Sequence, residues 1–170
     1  PANVDPGSAR LILNQDGTVN LMTGATEIGQ GADTAFAQMV SETLGVAYEN
    51  IHVISTQDTD ITPWDPGAYA SRQTYTCAPA VHAVADGLRR KLLGYAAALT
   101  LAPTAQGDAV VFVRNPESVV VTLHDLAMDS FYNKDRGGQL SAEASFKTRQ
   151  NPPSFGGCFA EVEVDIDLCK

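Results

Sequence analysis

The stretch LILNQDGTVNLMTGATEIGQGADTAFAQMVSETLG, Leu11 to Gly45, decides the fold. Leu11, Ile12 and Leu13 lie on one side of Asn14-Gln15-Asp16-Gly17, and Val19 and Leu21 on the other. An Asp-Gly pair between two apolar runs supplies the positive φ of a tight turn, so the spacing predicts a β-hairpin from Arg10 to Leu21. From Asp33 the period changes. Phe36, Met39, Val40 and Leu44 fall on one face of a helix, and Gly45 sits where a left-handed C-terminal residue belongs. A strand pair thus runs through a glycine-rich turn into an amphipathic helix, Asp33 to Leu44.

Outward from there, Ile51 to Ser55 reads as a short strand. Thr56 to about Ser71 has no period and carries Asp58, Asp60, Pro63, Asp65, Pro66 and Gly67. Long loops inside compact domains tend to bind something, and Trp64 and Tyr69 argue that this one is ordered. Val81, Val84, Leu88, Leu92, Tyr95 and Leu99 predict a second helix over Pro79 to Leu101, with Pro79 in its first turn and Arg89, Arg90 and Lys91 on its wet face. Asp108 to Arg114 reads as a strand and Asn115-Pro116 as a turn. Thr122 to Phe131 reads as a short helix opened by a capping box of Thr122 and Asp125. Leu140 to Lys147 and Val162 to Leu168 alternate apolar with polar, the second so cleanly that a strand with one acidic face is expected. The class is α+β: mixed sheet strands, two main amphipathic helices and one short helix.

The chain has 170 residues, 44% of them hydrophobic, enough for one buried core. Lys and Arg number 11 against 20 Asp and Glu, a formal charge of −9. That balance excludes nucleic acid or an anionic membrane as a charge-driven partner. No apolar run is long enough to span a bilayer, and PANVDPGSAR has neither region of a signal peptide. Cys77, Cys158 and Cys169 are odd in number and widely spaced, so reduced cytoplasmic thiols are expected rather than a disulfide framework or a zinc site. The opening at Pro1 and the close just after the last expected strand suggest one domain, 1–170, excised from a larger subunit. That strand would present an edge through which the fragment associates with itself.

Two segments could carry chemistry. In GATEIGQGADT, Gly24 to Thr34, Gly29 and Gly31 let the backbone approach a ligand, and the helix after them offers N–H groups to an anion. Gln30 between them both donates and accepts, which suits a heterocycle or a phosphate oxygen alike. The spacing is neither the dinucleotide fingerprint, because Thr34 holds its last glycine position, nor a P-loop. A plain strand-to-helix turn capped by Asp33 explains the same residues. In DPGAYASRQT, Asp65 to Thr74, the hydroxyls, backbone N–H groups and guanidinium of Ser71, Arg72, Gln73 and Thr74 could converge on an acceptor-rich ligand. An N-cap at Ser71 beside a surface Arg72 is the competing reading. Asp58, Asp60 and Asp65 do not make a calcium loop, since Thr62, Pro63 and Tyr69 stand where its later ligands and glycine belong. His52, His82 and His124 lie far apart, and no catalytic triad can be read.

TGATEIGQGADT, then ISTQDTDITPWDPGAYASRQTY after one helix, then GGQLSAEASFKT and NPPSFG, together resemble the molybdopterin-binding subunit of the xanthine dehydrogenase/aldehyde oxidase family, in order over essentially the whole chain. The resemblance implies a molybdenum cofactor, a pterin-dithiolene often extended as a dinucleotide. Gly29, Gln30 and Gly31 match the family's Gly-Gln-Gly turn. Ala70, Ser71, Arg72 and Gln73 match its second cofactor loop, which reads Ala-Ser-x-Ser, so Gln73 departs at the last position. By the same resemblance the parent enzyme hydroxylates a purine, another N-heterocycle or an aldehyde. Its partners are the remaining domains of the molybdenum subunit, and iron–sulfur and FAD subunits or domains that carry electrons away. The family's base lies in a Gly-Glu-Pro-Pro string that does not occur between Pro1 and Lys170. No catalytic residue and no protein metal ligand is therefore expected here, and the isolated chain should be inactive. The rival is a noncatalytic α+β module binding a small anion or a partner protein through the glycine turn and long loop.

Overall fold

In a computed structural model, the structure describes residues 5–168 apart from 57, 100–102, 107–108, 115–116, 136, 151–152 and 154. The hairpin forms as the sequence requires. β1 (Pro6–Leu13) pairs antiparallel with β2 (Val19–Thr23), with Leu13 opposite Val19 and Gly17 at φ +87°. α1 (Ala32–Leu44) follows, ending at Gly45 in the left-handed region. After one 3₁₀ turn, Tyr48–Asn50, β3 (Ile51–Ile54) lies parallel to β2, so β2, α1 and β3 form a crossover unit. β7 (Ser141–Lys147) pairs with the other edge of β1 and completes a mixed four-stranded sheet in the order β3-β2-β1-β7.

The buried face of this sheet carries Ala9, Leu11, Leu13, Val19 and Leu21; their neighbours along the strands are partly exposed except Ile12, which is buried as well. Against it pack Phe36 and Val40 of α1 and Val81, Val84 and Leu88 of α2 (Arg72–Leu99). Gly7 permits the approach of α2, since a Cβ there would lie 2.7 Å from the Thr76 carbonyl oxygen. Burial of this kind contributes about 1.5–3 kcal/mol for each large side chain, which is what holds the layers together.

α2 differs from expectation in its start. It begins seven residues before Pro79, which therefore stands inside the helix and leaves the Tyr75 carbonyl without its i+4 amide. The early turns hold because Arg72, Gln73, Thr76, Cys77 and Ala78 are all buried, and tertiary burial outweighs the proline. Arg89, Arg90 and Lys91 are exposed as expected.

A second, antiparallel sheet, β4 (Pro103–Gln106), β5 (Ala109–Arg114) and β6 (Glu117–Thr122), adds two strands to the one foreseen; the expected Asn115-Pro116 turn lies outside the described residues. α3 (Leu123–Tyr132) opens on the expected capping box, the Asp125 N–H donating to Thr122 Oγ1 at 3.1 Å and the Thr122 N–H to Asp125 Oδ2 at 3.2 Å.

The expected strand at Val162–Leu168 does not form. Val162, Val164, Ile166 and Leu168 are 60–84% exposed, and Asp165 turns the chain by accepting from the Asp167 and Leu168 N–H groups. Alternation specifies which side chains would share a face. A strand also needs a neighbour to satisfy its backbone, and nothing in the described chain supplies one.

Candidate functional site

The parallel pairing of β2 and β3 places Met22 opposite Ile54, so the two sequence-flagged loops leave the sheet from the same end. The first loop holds itself with its own acid. The Glu27 carboxylate accepts from the N–H groups of Gly29 (2.7 Å), Gly31 (3.1 Å) and Asp33 (3.1 Å), which keeps it below the ordinary glutamate range. The residue at the N-cap of α1 is Gly31, with no side-chain cap of its own. Asp33 instead accepts from Ser55 Oγ at 2.7 Å, tying α1 to the exit of β3. Two expectations change accordingly. Asp33 is not the cap, and Glu27 already occupies N–H groups of the first turn that an anion would have used. Gly29 and Gly31, at φ +95° and +80°, have nothing within 4 Å of where a side chain would begin.

The second loop is pressed onto the first at Gly24, where a Cβ would fall 2.1 Å from the Pro63 carbonyl oxygen. It enters α2 through Ala70 and Ser71, both left-handed at φ 48° and 53°. Two consecutive non-glycine residues in that region store strain of about 1–3 kcal/mol each, a cost concentrated at functional sites. Arg72 is 4% exposed. It donates to Asp65 Oδ1 (2.7 Å), Asp5, and the carbonyls of Gly67 (2.9 Å) and Pro6 (2.7 Å). Burial alone would depress its pKa, but the bond and charge of Asp65 outweigh this and raise it. The same guanidinium lies 5.6 Å from the centre of the Tyr69 ring. Burial, reinforced by Asp65, pushes the neighbouring Cys77 thiol up to about 12, so it is no nucleophile.

The loops join through two amides. Gln30 Nε2 donates to the Thr26 carbonyl (2.8 Å) and to Gln73 Oε1 (2.5 Å), while Gln73 Nε2 donates to the same Thr26 carbonyl (3.0 Å). In front of them opens a cleft of about 480 Å³, lined by Ile28 and Gln30 from the first loop and residues 68–74 from the second. That is the size of a small-molecule site. Of the seven residues picked from the sequence, Gln30, Ala70, Ser71, Arg72 and Gln73 line it, and Gly29 and Gly31 flank Gln30. Thr26, Glu27 and Ile28 were missed. A glutamate two, four and six residues ahead of Gly29, Gly31 and Asp33 was the available signal for Glu27. Trp64, 57% exposed, does not line the cleft. His82 and His124 bond to Thr43 and to the Gln15 carbonyl, away from it. Among the described residues no cluster of His, Cys, Asp or Glu is arranged to hold a metal.

Residues 2–170 match the family model of the molybdopterin cofactor-binding domain. The chain belongs to that family. It is 53% identical over 174 residues to the putative xanthine dehydrogenase molybdenum-binding subunit of Escherichia coli K12, covering 100% of this chain and 23% of that protein. With the probable hypoxanthine oxidase of the same strain it shares 31% identity over 167 residues, covering 96% of this chain and 17% of that one. Among solved structures it is similar to a Cu,Mo-CO dehydrogenase in its carbon monoxide reduced state, with a TM-score of 0.72, 25% identity, and coverage of 83% of this chain and 18% of the other. The chain thus spans less than a quarter of the length of these relatives. Membership sets aside the rival reading of a noncatalytic anion- or protein-binding module.

The residues of the cleft fit a molybdopterin cofactor. Gly29 and Gly31 leave open backbone, Gln30 presents an amide, and the exposed Ile28 and Tyr69 offer apolar surface to the face of a heterocycle.

Proposed function

We propose that this chain forms part of the cradle for the organic portion of the molybdenum cofactor in a xanthine dehydrogenase-like hydroxylase. Gly29, Gln30, Gly31, Ala70 and Ser71 would face the pterin or its extension, and Gln73 would stand behind Gln30, bonded to its amide. Arg72 would act from behind, its buried ion pairs holding the second loop in its strained path. The observation that supports this most directly is that two motifs 43 residues apart meet, amide to amide, at the mouth of one cleft. When bound, the cofactor supplies the redox and oxygen-transfer chemistry. The chain's part is to bind and orient it, and no side chain here is needed as a metal ligand.

In the parent enzyme the reaction is hydroxylation of a purine, another N-heterocycle or an aldehyde, with electrons passed to iron–sulfur and FAD subunits or domains. The names of the relatives and the motif resemblance support that reading, and the odd-numbered, widely spaced cysteines support a cytoplasmic setting. We infer that the exposed apolar residues Val162, Val164, Ile166 and Leu168 meet the remaining domains of the longer subunit, because the relatives are more than four times the length of this chain.

The test is Gln30→Ala in the full-length enzyme. Losing hydrogen bonds worth about 1–1.5 kcal/mol should lower molybdenum and pterin content roughly tenfold while the fold persists. Equal contents in variant and wild type would contradict the assignment.

A further inference from the structure

Orientation of an amide is fixed by its neighbours, and here it is fully determined. The Ile28 N–H is a donor, so only Gln30 Oε1 can meet it, at 2.7 Å. The Thr26 carbonyl is an acceptor, so Gln30 Nε2 faces it, and the second N–H of that nitrogen goes to Gln73 Oε1. Gln73 is held the same way round because its own Nε2 donates to Thr26. Turning either amide over would set oxygen against carbonyl oxygen or N–H against N–H. Both hydrogens of Gln30 Nε2 are thereby used, whereas Oε1 keeps one lone pair. Gln73 is 6% exposed, so water does not compete for the arrangement, and Gln30 itself is exposed at the cleft.

We propose that Gln73 is a positioning residue that, together with the Ile28 N–H and the Thr26 carbonyl, holds the Gln30 amide in this orientation, so that Gln30 offers the cofactor an acceptor. This rests on the cradle reading above and deepens it. The group recognised by Gln30 is a hydrogen-bond donor, a ring N–H or exocyclic amine of the heterocycle, and not a phosphate oxygen.

The test uses the full-length enzyme carrying its cofactor, with Gln73→Met, Gln30→Met, the double variant and Gln73→Glu. The readout is the rate at which pterin leaves on dilution, followed by its fluorescence, and the urea midpoint of each cofactor-free protein reports the fold. Gln73→Met should release pterin about tenfold faster. The double variant should match Gln30→Met within twofold, because Gln73 acts through Gln30. Gln73→Glu keeps the shape, and its protonated carboxyl reproduces both the acceptor and the donor of the amide. Either protonation state keeps the acceptor that meets Gln30 Nε2, so its release rate at pH 6 should stay within about threefold of wild type and well below that of Gln73→Met. Unchanged release from Gln73→Met, additive losses in the double variant, or a Gln73→Glu that releases pterin as fast as Gln73→Met would each overturn the proposal. A wild-type enzyme that carries no pterin would overturn the cradle reading and the proposal with it, a result distinct from any pattern among the variants.

Discussion

Glu27 holds the shape of the first loop, and its behaviour with pH follows from what it binds. Backbone N–H groups, first that of Asp33 and then that of Gly31, lower its pKa below the ordinary value of about 4.3. A depressed carboxylate stabilises the fold above its unfolded pKa, and that contribution is lost as pH falls through the folded value. Protection of the Gly31 and Asp33 amides against hydrogen exchange should therefore be steady from pH 7 to 5 and decline below about pH 4.5; protection unchanged down to pH 3 would show that the carboxylate does not hold the turn. Arg72 makes a larger claim. Asp65, its partner, has a fully buried side chain, so Arg72→Ala would strand a charge. Breaking such a pair by removing one member costs about 3–5 kcal/mol, expected as a large fall in the urea midpoint. A fall under 1 kcal/mol would mean that Asp65 is met by water at little cost.

Among the elements, those written locally were legible. The Asp16-Gly17 turn, Gly45 after α1 and the Thr122–Asp125 capping box each depend on residues within a few positions of one another, and each stands where the sequence placed it. The elements that were misread depend on distant partners. α2 starts early because its first turn buries Arg72 against Asp5 and Pro6 of β1, a contact across more than 60 residues. Val162 to Leu168 has the strand pattern but joins neither sheet among the described residues. Both motif loops were legible as strings, but the Gln30–Gln73 bond was not, since it exists only because β2 and β3 run parallel. Gly24 tests that packing. Gly24→Ala puts a methyl against the Pro63 carbonyl, so it should cost about 1–3 kcal/mol by urea unfolding and loosen the second loop. A variant as stable as wild type would mean that the loops are not pressed together there.

At the scale of the whole molecule, the sheet and its two covering helices serve to deliver two loops to one end, where strain at Ala70 and Ser71 and buried ion pairs at Arg72 fix the wall of a cleft. The acidic balance of the chain does not oppose the proposed cradle, because recognition there would rest on oriented amides and glycine backbone rather than on a field of cations. The most direct measurement is a crystal structure of the full-length enzyme purified with its cofactor. Expected is density for the pterin or its extension in the cleft between the Gly29–Gly31 turn and residues 70–73, with a donor of the heterocycle facing Gln30 Oε1. Cofactor bound elsewhere, with this cleft filled by solvent, would contradict the assignment.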